Sequence, residues 1–451
     1  MKVVFLGMGE VAKCALQLLR EFMAVDARDV FIAERNNETA HPAVNAFITA
    51  GATYLQINLT RENMAGLLRD EIGLVSGDLV IDLTTDTDVF FLTELCLENG
   101  WMFLNTCIEN AADMRLVHYV NHAKMAALIT RYRDRADLAT CIFDHGMNPG
   151  LISSLAKKGL IDIAELVLAH RRDEKLEELL AAADFSGIAE YLGLEALHCS
   201  ETDNQSCDDA PADVFVNTWS CPGFLVEATA PLQVTWGTHE NKFAPGSALV
   251  APRMLMADTP AWQVAARSYV HDREIEGMVI PHEEIITLRK FLERPGYSPT
   301  ICYVYEINPH TRRCFEEGIL SEQGGQVLTP AGNGLRGYDK VGCLYVLKQN
   351  PLTGESVPWS YWCGSVLETT DPVFSATVIQ VAAGVLSAAR WMSENPHAGI
   401  LFPEALPHEK ILAYASHRLG EVFSAAVPFR PKSTQFTDFI LNSGIRSRLL
   451  R

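Results

Sequence analysis

The sequence lacks a Cys-x-x-Cys pair, an internal repeat, a low-complexity tract and a long uncharged apolar run, and it is poor in positive charge. Its eleven cysteines are scattered, from Cys14, Cys96, Cys107 and Cys141 to Cys199, Cys207, Cys221 and beyond. That spacing excludes a zinc ribbon and a disulfide frame; it suits reduced thiols used as small buried hydrophobes. No metal is expected. Lys and Arg number 37 against 56 Asp and Glu, a formal net charge of −19, which argues against a general binder of nucleic acid or anionic membrane. Acidity of this size also serves solubility alone, so it names no ligand by itself. The most apolar late run, FSATVIQVAAGVLSAARWM, contains Arg390 and is short for a bilayer span, so it reads as a buried helix. The chain opens directly on MKVVFLGMG, a strand and a turn, which leaves no room for a signal peptide; a cytoplasmic location is expected.

What is present is a globular composition, 48% hydrophobic and 21% charged over 451 residues, enough for two or three domains. KVVFLG is a short β-rich run ending in Gly7. MGEVAKCALQLLREF follows at helical spacing, and DVFIAER reads as a second strand. The alternation continues through TYLQINL, DLVIDLT and WMFLNTC, with amphipathic helices between them, and predicts an α/β fold with a Rossmann-type doubly wound parallel sheet. After FDHGMNPGLISSLAKKGLIDIAEL the rhythm changes to short strands (VFVNTWS, LQVTWG, EGMVIPH, TICYVYEIN, KVGCLYVLK) and turns. A second α+β domain with a mixed or antiparallel sheet is expected. The domain boundaries are placed at 1–145, 146–368 and 369–451, the last a helical region returning to the first domain. SETDNQSCDDAPAD reads as a polar loop.

GMGEVA matches G-x-G-x-x-G/A where the pattern has physical meaning, after a strand and at the opening of a helix. Gly7 permits the tight turn, Gly9 lets a pyrophosphate approach the backbone, and Ala12 allows close helix–strand packing. The helix start offers N–H groups to phosphate. Glu34, closing the second strand, is placed to bind an adenosine ribose diol and to repel a 2′-phosphate, which favours NAD over NADP; Arg35 beside it works the other way. Cofactor contacts are expected at Gly7, Gly9, Glu10, Val11, Glu34, Thr84, Thr85, Asn105, Thr106 and Asn148.

A second group of motifs is acidic or aromatic: NTCIEN with Glu109, DHGMNPGL with His145 and Asn148, HCSETDNQ with Glu201 and Asp203, NTWSCPGFLVEATAP with Trp219 and Glu227, and IPHEE with His282. Taken singly each has a plain explanation: a turn at Asn148, a core position for Trp219 and His282, a solvated loop acid at Glu201. An aromatic face and acids with no Lys or Arg nearby suit an alkylammonium ligand. Together, NTCIE, DHGMNPGL, FVNTWSCPGFLVEA, WGTHE, ENPHAGI and GMGEVA resemble the bacterial homospermidine synthases, of the saccharopine-dehydrogenase-like group. The resemblance runs to about residue 400; the last fifty residues carry no matched motif.

The resemblance implies a reaction without net redox. A carbon of putrescine next to one amine is oxidised to an imine by hydride transfer to NAD⁺. Ammonia then leaves as a second amine attacks, and the new imine is reduced when the hydride returns. It further implies that Glu201, His282, Trp219 and Asn148 are catalytic, and that Glu109, Glu227, Asp86 and Asp339 bind the diamine. Glu201 and His282 are the candidate bases, and a homodimer is expected. A competing reading is a one-way NAD(P)-dependent dehydrogenase of the saccharopine or carboxynorspermidine type. It would need Lys or Arg for a substrate carboxylate, and Lys340, Lys157 and Lys158 are the nearest candidates. A scaffold without activity would not explain the acid-and-Trp combination.

Overall fold

The computed structural model describes residues 1–85, 87–108, 117–244, 246–320 and 325–441. Contacts divide the chain into a first unit, Met1–Leu151 with Val378–Arg418, and a second, Ile152–Thr377 with Leu419–Arg451.

The first unit is built on a parallel seven-stranded sheet. Its order from one edge is Thr53–Gln56, Val30–Glu34, Val3–Leu6, Leu79–Asp82, Met102–Asn105, Cys141–Ile142 and Ile400–Leu401. The first six follow the order 3-2-1-4-5-6 of the doubly wound dinucleotide fold, with its switch point between Val3–Leu6 and Leu79–Asp82. Val4, Leu6, Val80, Phe103 and Trp101 are buried in a core with Leu92 and Leu97 of the helix Val89–Asn99. The helix Glu10–Phe22 buries Ala12, Cys14, Ala15, Leu16, Leu18, Leu19 and Phe22, an apolar stripe at the 3.6-residue period.

The second unit carries a mixed seven-stranded sheet, ordered Ala265–Val270, Arg273–Ile280, Thr300–Glu306, Leu194–Asp203, Tyr338–Leu347, Trp359–Glu368 and Glu421–Ala426. Thr300–Glu306 and Leu194–Asp203 run parallel, and the other neighbours are antiparallel. A smaller antiparallel sheet orders Ser247–Ala251, Met254–Pro260 and Pro231–Thr235. Side chains alternate across the large sheet. Ala196, Cys302, Val304, Leu344, Val346 and Trp362 fill an apolar core on one face. The other face is also buried but polar: Glu201 pairs in register with Tyr305 and Val341, and Asp203 with Asp339. There Tyr345 Oη donates to the carbonyl of Ala156 at 2.8 Å, fixing the helix Leu151–His170 against it.

Two expectations change. The expected polar loop begins inside a strand, since Leu194–Asp203 runs through Glu201 and Asp203, both buried; polar residues on a sheet buried on both faces imitate a solvated segment in sequence. The region 369–451 was read as one helical return to the first domain. The strand Glu421–Ala426 instead pairs with Trp359–Glu368 in the second unit, and only Val378–Arg418 groups with the first. Among the described residues no helix is long and apolar enough to cross a membrane. The helix Ala376–Glu394 is the apolar run containing Arg390, and most of it is buried.

Within the first unit Gly384 packs directly on the loop at Gly146, where an added Cβ would collide with the Gly146 carbonyl oxygen. Gly384→Ala should therefore destabilise the protein by about 1–3 kcal/mol, as overpacking does. Chemical or thermal unfolding would show the lowered midpoint; an unshifted midpoint would contradict the contact.

Candidate functional site

In the first unit a cleft of about 230 Å³ lies over the carboxyl ends of the strands. It is lined by Gly7, Met8, Gly9, Lys13, Ala33, Glu34, Arg35, Asn36, Glu38, Ile57, Asn58, Leu59, Leu83, Thr84 and Thr85. Gly7 has φ +82°, and a Cβ there would lie 3.0 Å from the Leu83 carbonyl oxygen, so only glycine makes this turn without strain. A Cβ on Gly9 would meet nothing within 4 Å; it would project into open space. Gly9 caps the helix Glu10–Phe22 without a side-chain hydrogen bond, leaving N–H groups of the first turn for an anion. Glu34 is oriented by two backbone donors, Met8 N–H and Asn36 N–H, each at 2.8 Å. Thr84 Oγ donates to Asp82 at 2.7 Å and is 2.6 Å from Thr87 Oγ. A bare glycine cradle, an uncapped helix start and an oriented acid fit a dinucleotide.

Of the expected cofactor contacts, Gly7, Gly9, Glu34, Thr84 and Thr85 line this cleft. Glu10, Val11, Asn105, Thr106 and Asn148 are not among its lining residues. Asn105 is occupied otherwise: its amide donates to the Cys107 carbonyl at 2.6 Å and accepts from Asp144 N–H at 3.2 Å. It organises the loop after its strand. Asn148 lies in the loop that Gly146 and Gly150 close by bridging. His145 is buried and its Nδ1 sits 3.1 Å from the Gly384 carbonyl. Burial lowers its pKa to about 4, so the ring is neutral at pH 7. Asp86 and Glu109 lie outside the described residues.

In the second unit the polar sheet face gathers Glu201, Asp203 and Asp339. Two tyrosines accompany them on the next strand, because positions 303 and 305 share one face. Tyr303 Oη donates to Glu201. Asp203 accepts from Thr218 Oγ at 2.5 Å, from Gln205 N–H at 2.9 Å and from Asn308 Nδ2 at 3.2 Å. Asp339 accepts from Thr377. Burial, then the neighbouring Glu201 and Asp203, push the Asp339 carboxyl well above the usual range. Burial, then the same three acids, also hold the Tyr305 phenol up as a neutral donor.

The strand Arg273–Ile280 leads through Pro281 to His282, the N-cap of the helix Glu283–Leu292. Glu283 and Glu284 occupy the first turn, where the helix dipole favours anions. His282 Nδ1 bonds Glu284 and lies 3.7 Å from Glu283, while Nε2 lies 3.7 Å from Glu227. Burial opposes the imidazolium, but Glu284, Glu227 and Glu283 outweigh it and hold the pKa well above its ordinary value. The surrounding carboxylates thus favour the imidazolium form of His282. Glu227 reaches the cluster from the helix Cys221–Thr229, whose N-cap Ser220 accepts from Gly223 N–H at 3.2 Å. Trp219 immediately precedes this cap. Its ring meets Phe224 edge-on at 5.9 Å, Phe224 meets Tyr305 at 5.9 Å, Tyr305 meets Tyr303 at 6.3 Å, and Tyr303 stacks on His282 at 4.8 Å.

Of the seven carboxyl and imidazole side chains so connected — Glu201, Asp203, Glu227, Glu283, Glu284, Asp339 and His282 — six are acids. The cations that a carboxylate-binding site would call on are used elsewhere. Lys340 pairs with Asp272 at 2.8 Å and Lys158 with Asp162 at 2.7 Å, while Lys157 lies over the rings of Phe185 and Phe291 at 5.5 and 5.4 Å. Sequence reasoning singled out Glu201, Trp219, Glu227, His282 and Asp339, which this unit brings together, but missed Tyr303, Tyr305 and Thr218. The alternation in TICYVYEIN was a signal for the tyrosines; their meeting with Glu201 depends on strand register.

The description "Saccharopine dehydrogenase NADP binding domain" matches residues 3–132, and "Saccharopine dehydrogenase C-terminal domain" matches residues 146–422. The chain belongs to the saccharopine dehydrogenase family. Within that family it is similar to the homospermidine synthase of Blastochloris viridis, 26% identical over 95% of this chain and 92% of the relative. The homospermidine synthase of Mesorhizobium japonicum is 26% identical over 93% and 89%. The crystal structure of homospermidine synthase from Legionella pneumophila in complex with NAD superposes with a TM-score of 0.84, 25% identity and 98% coverage of both chains. Saccharopine dehydrogenase (L-Glu forming) of Saccharomyces cerevisiae shares the fold at a TM-score of 0.56 and 11% identity.

Histidine NMR should find the His282 titration midpoint raised above the ordinary value, with Glu284→Gln lowering it. A midpoint near the ordinary value of about 6.5 would contradict the electrostatic account.

Proposed function

We propose that this chain is an NAD-dependent homospermidine synthase that joins two molecules of putrescine and releases ammonia. The observation that carries the proposal is two adjoining groups of buried acids, Glu227, Glu283 and Glu284 at the His282 ring and Glu201, Asp203 and Asp339 beyond Tyr303, linked to an indole through stacked and edge-on rings. Putrescine is a dication at pH 7, and such a group is complementary to it. The homospermidine synthases of similar sequence and fold support the reading. NAD, when bound, accepts a hydride from the diamine and gives it back, so no net oxidation results. The reading also carries a homodimer in the cytoplasm.

The residues divide the remaining work. An amine must lose a proton before hydride leaves its α-carbon. Glu201, oriented by Tyr303 Oη, is the acceptor, with the buried carboxyl of Asp339 beside it. The His282 imidazolium is the proton donor for departing ammonia. Glu227, Glu283 and Glu284 hold the distal ammonium. Trp219 faces the cationic iminium carbon, with a cation–π attraction of about 0.5–2 kcal/mol. That is too small to bind a dication but large enough to orient one.

Pure protein with putrescine and catalytic NAD⁺ should form homospermidine and ammonia without stoichiometric NADH. Steady NADH accumulation without a coupled polyamine would favour the one-way dehydrogenase. Trp219→Ala should cut turnover severalfold or more; a loss under twofold, roughly 0.4 kcal/mol of barrier, would make the indole mere packing. Diamine binding should also release protons. The buried Asp339 carboxyl, whose pKa its surroundings raise, holds a proton that an arriving dication repels, so affinity rises with pH as that proton is lost, up to about tenfold per unit. Calorimetry in buffers of different ionisation enthalpy reads this directly, and proton uptake would contradict it.

A further inference from the structure

The cleft of the first unit contains a lysine that the reaction does not require. Lys13 lies on the helix Glu10–Phe22, lines the cleft with Glu34 and Arg35, and is largely buried. Its Nζ is 3.1 Å from Glu10 Oε1 and 3.0 Å from Glu38 Oε2. Burial alone would lower the ammonium's pKa, but Glu10 and Glu38 outweigh it and hold the group above its usual value. Glu38 is itself anchored: its N–H donates to Tyr54 Oη at 3.0 Å, and that hydroxyl donates to the Asn36 carbonyl at 2.5 Å. The loop after the second strand, which carries Glu34 to Glu38, is thereby tied down beside the cleft.

A 2′-phosphate on the adenosine ribose needs a cation in this region, whereas an unmodified ribose diol needs an acceptor. Glu34 is the acceptor. Lys13 is within the same lining, yet its charge is already matched by two carboxylates. We infer that Glu38 is a specificity-determining residue of the dinucleotide site: by holding Lys13 it withdraws one of the two basic residues of the lining, Lys13 and Arg35, from a 2′-phosphate, and so favours NAD over NADP in a family whose first domain is described as NADP-binding. Glu34 supplies repulsion; Glu38 removes a compensating attraction. The inference rests on the proposed dinucleotide site and not on the identity of the diamine.

Titration calorimetry of the full chain with NAD and with NADP, without diamine, tests it. In Glu38→Gln the ratio of NADP to NAD affinity should rise about tenfold or more, the scale of one charge-assisted hydrogen bond. Adding Lys13→Met should return the ratio to the starting value. Glu38→Ser serves as a second variant should the first fold poorly. A ratio that stays within about twofold in both single variants would overturn the inference. So would a rise that persists in the double variant, which would come from lost repulsion alone. If the unsubstituted protein binds neither dinucleotide, the cofactor reading itself falls, a result distinct from NAD binding with an unmoved ratio.

Discussion

Carboxyl groups kept inside a protein are the constraint on which the second unit depends. Moving an ionised carboxylate out of water costs several kcal/mol even after relaxation, unless charge or hydrogen bonds offset it. Here the offsets are partial and of three kinds. Asp203 is surrounded by donors from Thr218, Gln205 and Asn308. For Asp339, burial and the neighbouring Glu201 and Asp203 shift the balance toward the neutral acid. Glu284, Glu227 and Glu283 share the imidazolium of His282. A cluster balanced in this way is poised to exchange protons for an incoming cation.

The first unit solves a smaller version of the same problem with opposite sign. Its cleft must leave N–H donors exposed to a pyrophosphate, and does so with Gly9 at an uncapped helix start. The cation in that lining is held by two acids, and the acid at the second strand's end by two backbone amides. Lys13 and Glu34 are thus already oriented, which lowers the ordering cost of binding.

How far the sequence was legible follows from which forces are local. The glycine turn, the helix after it and Glu34 lie within one β-α-β unit, so period and spacing located them. Trp219 and Glu227 flank one helix cap and were also recognisable as a pair. Tyr303 and Tyr305 were not, because their partnership with Glu201 is set by a parallel register between strands about a hundred residues apart. His282 was visible as a residue, but its charge state depends on acids from two helices. The edge strand Glu421–Ala426 was hidden because none of its six side chains is buried, so it carries no apolar alternation. Glu201 looked like a loop acid because burial on both faces erases the alternation by which strands are recognised.

The central claim is that the buried acids require two positive charges at a four-carbon separation. Calorimetry of the full chain with putrescine, n-butylamine and 4-aminobutyrate tests it most directly, since the three differ in terminal charge at similar length. The account predicts that putrescine binds tightest, that butylamine loses most of the affinity, and that 4-aminobutyrate shows no binding. Binding of 4-aminobutyrate as tight as that of putrescine would contradict it, because a terminal carboxylate would then be welcome where the structure gathers carboxyls.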